Sequence, residues 1–169
     1  MTEQQESSGE AMTTRIGQAV ILLHGGDREE ARNRLTDLWR ELGEDGDLFH
    51  RLTVAHYMAD TQEDAHDELA WDLRALAAAD ALTTDEVARE GNALAVRALY
   101  PSLYLNLSAA YLKVADTVAA RQELDRCRAC LGELDDDAYG AGVRAAADRM
   151  ERRLAEASGP TAPRGPHPP

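Results

Sequence analysis

A phrase recurs along this chain: a turn-forming pair, an alanine four residues after it, and a leucine four residues after that. It reads Gly26-Asp27…Ala31…Leu35, then Asp60-Thr61…Ala65…Leu69, then Ala115-Asp116…Ala120…Leu124. The first two copies lie 34 residues apart, and the third follows after 55, one further period plus a 21-residue insertion. A period of this size marks a supersecondary unit that buries its apolar face only against its neighbours. A small residue where two helices cross lets their backbones approach, and Gly or Asp at the turn permits the reversal. The expected fold is therefore all-α, built of antiparallel helical hairpins stacked side by side. Such tiling requires Ala31, Ala65 and Ala120 to occupy matching interhelical crossings.

Helix is permitted along nearly the whole chain. Five of the six prolines fall in the last ten residues, leaving Pro101 as the one interruption within. At 169 residues, 44% of them hydrophobic, one domain with its own core is expected. Residues 1–11 are polar and read as disordered. A hairpin over 12–45 follows, its first helix starting at Thr13 or Thr14 and passing Ile16, Ala19 and Leu23. Its second helix, 28–42, carries Ala31, Leu35, Leu38, Trp39 and Leu42 as an apolar stripe at helical period. The second hairpin, 46–79, has Leu48, Phe49, Leu52, Ala55 and Met58 on one face, a turn at Asp60-Thr61, and Thr61 as N-cap. An inserted helix spans 83–100, opened by Thr84; it either meets a new helix at Tyr100-Pro101 or continues through, bent. The third hairpin, 101–134, pairs a helix bearing Leu103, Leu107, Ala110 and Tyr111 with one spanning 117–134. Asp135-Asp136-Asp137 caps a final helix, 137–157, and a Pro-rich tail, 158–169, reads as extended and disordered.

Basic residues number 18 against 31 acidic, a net charge of −13. That surface repels phosphates and anionic lipid heads, so neither nucleic acid nor membrane is an expected partner; a basic peptide or protein is. No apolar run approaches the length of a membrane span, and the N-terminal stretch resembles no signal peptide. A cytoplasmic protein with reduced Cys127 and Cys130 is expected. These form a C-x-x-C, but well inside a helix, where Cys127 reads as a small buried hydrophobe rather than a thiolate nucleophile. No H-E-x-x-H, G-x-S-x-G or Gly-rich phosphate loop is present. Catalysis is not indicated, and no cofactor is expected. One constellation offers an alternative: His50, His56, Asp60 and His66 carry metal-ligating chemistry, with His56 and Asp60 one turn apart. A metal-dependent helical protein or enzyme would use them, although the turn after Asp60 sets His66 on another helix.

Residues 101–134 resemble a tetratricopeptide repeat. With Pro101 first, Asn106-Leu107-Ser108 falls where that family has Asn-Leu-Gly or Asn-Leu-Ala, and Tyr111 where it has Tyr. Ala115-Asp116 replaces its Gly-Asp turn, and Ala120, Leu124 and Cys127 take its small, large and small sites. The first hairpin fits through Ala19, Leu22, Gly26-Asp27, Ala31 and Leu35, with polar Arg15 and Gln18 at apolar sites. The second fits through Phe49, Leu52, Asp60, Ala65 and Leu69; Asp72 departs from a small site and His56 replaces the Tyr. The resemblance covers 12–134 outside the insertion. It implies an α-solenoid with a C-terminal capping helix, whose first helices line a peptide-binding groove. By that correspondence the groove residues are Val20 and His24, then His50, Val54, Tyr57 and Met58, then Leu105, Asn106, Ala109, Leu112 and Lys113. Only Asn106 and Lys113 could serve the family's carboxylate clamp, so capture of acidic C-terminal tails is not expected. The implied role is a non-enzymatic adaptor or regulatory subunit holding a peptide or partner helix, with self-association as a second form of it.

Overall fold

The computed structural model describes residues 3–84 and 86–159, with side chains for all of these except 86–94. Among the described residues the chain is all-α, with seven helices and no strand: α1 (Glu3–His24), α2 (Arg28–Leu42), α3 (Leu48–Thr61), α4 (Ala65–Thr84), α5 (Glu86–Lys113), α6 (Thr117–Ala129) and α7 (Ala138–Ala157). Each helix packs on the next, while α1 also touches α3 and α5 also touches α7.

The turns explain the hairpins. At the end of α1, Gly26 has φ 93°, its N–H donates to the Leu23 carbonyl at 3.1 Å, and the Asp27 N–H donates to Leu22 at 3.0 Å. At the end of α5, Ala115 has φ 62°, with Ala115 N–H on Leu112 at 3.0 Å and Asp116 N–H on Tyr111 at 2.9 Å. Both are the same left-handed reversal, which satisfies the last helical carbonyls. In each the following aspartate opens the next helix, Asp27 accepting from Glu30 N–H and Asp116 from Ala119 N–H. Four residues on, Ala31 and Ala120 are wholly buried, and Leu35 and Leu124 lie beneath the next turn.

The middle hairpin departs from this pattern. Asp60-Thr61 is not a turn: α3 runs through Thr61, whose hydroxyl donates to the Met58 carbonyl at 2.7 Å instead of capping α4. The Arg32 guanidinium reaches from α2 to the Thr61 carbonyl at 2.6 Å. Asp64 is the cap, accepting from the His66 and Asp67 N–H groups at 2.8 and 3.1 Å. No residue takes the left-handed conformation at the expected place, and the chain reverses three residues later. Ala65 therefore opens α4, half-buried, and does not share the crossing occupied by Ala31 and Ala120.

Three other expectations are corrected. Over residues 3–11 the chain is helical rather than disordered, an exposed extension of α1. Thr13 and Thr14 are not caps; their hydroxyls donate to the Gly9 and Glu10 carbonyls one turn back. Extending a helix already nucleated by packing at Met12, Ile16 and Ala19 carries little entropic cost. Thr84 ends α4 rather than opening a helix, and of the two forms expected for the inserted segment the structure has the continuous one. The segment is the first part of α5, which continues through the fully buried Pro101. Proline removes the donor for the Arg97 carbonyl, and burial of Val96 and Leu103 on either side offsets that loss. Finally, α6 stops at Ala129 and a 3-10 turn, Leu131–Glu133, follows. Asp137 caps α7 through Gly140 N–H at 2.8 Å. Of the tail expected over 158–169, residues beyond Gly159 lie outside the described part, as do residues 1 and 2.

The core is continuous in three parts. Met12, Ile16, Leu35, Leu38, Val54 and Met58 join α1, α2 and α3. Leu52, Ala75, Ala79, Leu82, Val96 and Leu103 join α3, α4 and α5. Ala120, Leu124, Cys127, Ala147, Met150 and Leu154 join α6 and α7. Trp39 and Trp71 meet edge to face at 5.1 Å across the first two parts, with Arg51 over one ring and Arg74 over the other, each at 4.3 Å. Cys127 is buried as expected, and burial pushes its thiol up to about 11, far from thiolate chemistry.

Ala115 is the one non-glycine residue at positive φ among those described. A left-handed alanine carries strain that glycine lacks, partly offset by the freedom glycine adds to the unfolded chain. Ala115→Gly is expected to stabilise the protein by about 0.5–1 kcal/mol in urea unfolding, and Gly26→Ala to destabilise it. Loss of stability in Ala115→Gly would contradict the assigned turn.

Candidate binding cleft between α3 and α5

Helix α4 packs behind both α3 and α5, so these two face one another without closing as α1 closes on α3. Between them lies a cleft of about 590 Å³. Helix α3 lines it with Phe49, Leu52, Thr53, His56, Tyr57 and Asp60, spacings of three and four that hold them along one side of the helix. Helix α5 supplies Leu99, Ser102, Leu103 and Asn106, and Tyr139 closes over from the start of α7. The Tyr139 hydroxyl lies 2.5 Å from Ser102 Oγ, which ties α7 to the rim.

The cleft is apolar at one end and polar at the other. Phe49 and Tyr139 remain 42% and 50% exposed at the mouth. Further along, Asn106 Nδ2 lies 3.4 Å from His56 Nδ1, and the His56 ring meets Tyr57 edge to face at 4.9 Å. Burial holds the His56 imidazole below its ordinary pKa, against the pull of Asp60. Burial raises Asp60; His56 opposes the rise and the Glu68 carboxylate adds to it. Asp60 also borders a second recess of about 440 Å³, which includes Arg28, Glu63, Glu68 and Lys113. There Lys113 Nζ binds both Glu68 oxygens, at 2.9 and 2.7 Å. Behind, on α4, Asp72 is only 4% exposed, and its carboxyl is pushed up to about 8. Burial is the main cause, the Glu68 and Asp60 charges adding to it and Lys113 opposing.

Of the residues expected to line a groove, Tyr57 and Asn106 do so. His24 is exposed at the end of α1, its ring 6.4 Å from Tyr57. Lys113 borders the adjoining recess. The others are corrected. Val54 and Met58 are buried in the first part of the core and Val20 packs against it, because the tight contact of α1 with α3 covers that face. Leu105, Ala109 and Leu112 pack against the α6–α7 core rather than facing α3. His50 is taken up in joining α3 to its surroundings, with Nε2 3.0 Å from Thr13 Oγ1 and Nδ1 3.4 Å from Asp47. The metal alternative is not assembled: among the described residues no three His, Cys, Asp or Glu side chains are grouped to hold an ion. His56 and Asp60 share the cleft, whereas His66 is exposed at the start of α4.

Phe49, Leu52, Leu99, Leu103 and Tyr139 were not foreseen as lining residues. The first two read as core stripe, and only the docking of α7 over α5 brings Tyr139 to the mouth. No family model matches the chain, nor is any curated protein or solved structure similar to it. Among the described residues no helix is long and apolar enough to cross a membrane.

Asp72 makes the site's electrostatics measurable. Unfolded, its carboxyl ionises near the ordinary 3.8; folded, it does so near 8. Between those values the unfolded state binds fewer protons, so this residue's contribution is most favourable at low pH and is lost as pH rises toward 8. Asp72→Asn removes the ionisation cost and is expected to stabilise the protein by about 2 kcal/mol at pH 8.5. The gain should shrink at pH 5.5. Urea unfolding followed by Trp39 and Trp71 fluorescence measures both; a gain independent of pH rejects a neutral buried Asp72.

Proposed function

We propose that this chain is a tetratricopeptide-like helical-repeat module without catalytic activity. It acts as a cytoplasmic adaptor or regulatory subunit that holds a peptide or a partner helix between α3 and α5. The observation that carries this reading is the open cleft with two aromatic side chains, Phe49 and Tyr139, left half-exposed at its mouth. Large amphipathic rings at the edge of a concave surface are the usual anchors of a protein contact. Contacts of α1 with α3 and of α5 with α7, together with the left-handed turns at Gly26 and Ala115, support hairpin stacking at either end of the chain, while the middle hairpin departs from the repeat with Ala65 outside the matching crossing. A net charge of −13 favours a basic partner and speeds its approach.

The test is binding by the full chain of peptides selected from a random library. Combining Phe49→Ala with Tyr139→Ala should weaken a selected peptide about tenfold or more, in keeping with aromatic anchors. Val118→Ser, at an exposed position of α6 outside the cleft, should leave it unchanged. Equal affinity for the double variant, with its helical circular dichroism intact, rejects the cleft as the site. Sedimentation tests self-association by the same surface: a dimer that the double variant abolishes would make a second copy the occupant.

A further inference from the structure

The shape of the cleft and one unpaired charge narrow what it holds. Phe49 and Asp60 lie eleven positions apart on α3, about 16 Å at the helical rise. A volume of about 590 Å³ open to the centre of a water molecule, drawn out over that length, corresponds to a cleft roughly 10 Å across once the water's own radius is added on each side. A helix with its side chains is roughly 10–12 Å across, so it does not lie wholly within. An extended chain can, and at about 3.3 Å per residue five residues cover the distance. Thr53, Ser102 and Asn106 along the walls offer polar atoms to such a backbone.

The far end carries a charge that the fold does not match. Among the described residues none makes a hydrogen bond or ion pair to the Asp60 carboxylate. The neighbouring cations act on it only from a distance, His56, His24 and Lys113 lowering its pKa without a hydrogen bond or ion pair to the carboxylate. Lys113 binds Glu68, Arg32 binds the Thr61 carbonyl and Glu63, and Arg28 borders the recess but not the cleft. His56, held below its ordinary pKa by burial, contributes little positive charge at neutral pH. Glu68 adds negative potential from α4, while Asp72, protonated at neutral pH, adds none. Asp60 borders both the cleft and the recess, so a cation arriving along the cleft meets it before the Lys113–Glu68 pair.

We propose that the cleft takes an extended peptide segment of about five residues, with a lysine or arginine at one end and an aromatic or aliphatic side chain at the other. The cation pairs with Asp60, and the apolar side chain seats between Phe49 and Tyr139. This rests on the cleft being the binding site. A guanidinium or ammonium matches the uncompensated carboxylate, and an acidic residue there would be repelled by Asp60 and Glu68 together.

Random peptides of about fourteen residues displayed on phage, selected on the full chain and then truncated to the minimal binder, provide the probe. Selected sequences should carry Lys or Arg four or five positions from a large apolar residue. A synthetic peptide of the selected sequence should lose about tenfold in affinity for Asp60→Asn, and Asp60→Lys should select Asp or Glu at that position. Phe49→Ala should weaken the same peptide whatever its charge. If Phe49→Ala weakens binding but Asp60→Asn does not, this inference falls and the cleft remains the site. If neither weakens it, or no peptide is selected, both fall. A minimal ligand of eleven or more residues would point to a helix and overturn the extended form.

Discussion

Every helix that follows a fully described turn begins on an aspartate carboxylate. Asp27 opens α2, Asp47 opens α3, Asp64 opens α4, Asp116 opens α6 and Asp137 opens α7, each accepting a backbone N–H of the first turn. An N-cap of this kind satisfies donors that would otherwise be orphaned and places negative charge at the positive end of the helix dipole. Its structural consequence is larger than its energy, about 1 kcal/mol each. The cap fixes which residue is first in the helix, and hence which residues face the neighbouring helix. Register in this protein is set by five carboxylates.

Counting from the caps rather than from the sequence period shows how the cleft arises. Ala31 and Ala120 stand four residues after their caps, and Leu35 and Leu124 stand eight after; all four are fully buried. The residues four and eight after Asp64 are Glu68 and Asp72. Where the outer hairpins place a small and a large apolar side chain at the crossing, the middle one places two acids. Two carboxylates cannot be packed there as alanine and leucine are, because burying a charge without a partner is far more costly than burying a methyl group. Lys113 satisfies Glu68 from α5, and Asp72 is satisfied by staying protonated. The polar end of the cleft is thus a product of the delayed turn after α3.

The parts legible in the sequence are those decided locally. The cap at Asp137, the turns at Gly26-Asp27 and Ala115-Asp116 and the stripes of α2 and α6 depend on residues a few positions apart, and all are present. The 34-residue spacing between Gly26-Asp27 and Asp60-Thr61 carries no information on turn conformation, and Thr61, β-branched, stays in the helix. The three-residue delay that follows removes Ala65 from its expected crossing. The groove residues divide on a different ground. Tyr57 and Asn106 point between α3 and α5, whereas Val54 and Met58 are one position around the helix and meet α1. A change of about 100° per residue is enough to turn a lining residue into a core residue, and periodicity alone does not say which neighbour lies on which side. Tyr139 could be placed only by knowing that α7 docks on α5.

Most of the acidic excess has a structural use or none that matters for stability. Exposed pairs such as Arg40 with Asp37 contribute little, being solvated and screened. Among the described residues two acids stand apart because they are buried with incomplete pairing: Asp72, and Glu123, whose Oε2 lacks a hydrogen-bond partner while Oε1 takes one from Arg126. Asp60 differs from both. It borders open space, where water reaches its carboxylate, although burial among its neighbours raises its pKa. A ligand cation that displaces this water exchanges one set of charge-assisted hydrogen bonds for another. The gain in affinity from Asp60 is therefore modest, while the cost of seating a second anion beside it is not. In the proposed binding mode the attraction of Asp60 for a cation would act on affinity and its repulsion of an anion on the choice of partner, so the two effects would be separable by charge-reversed peptides.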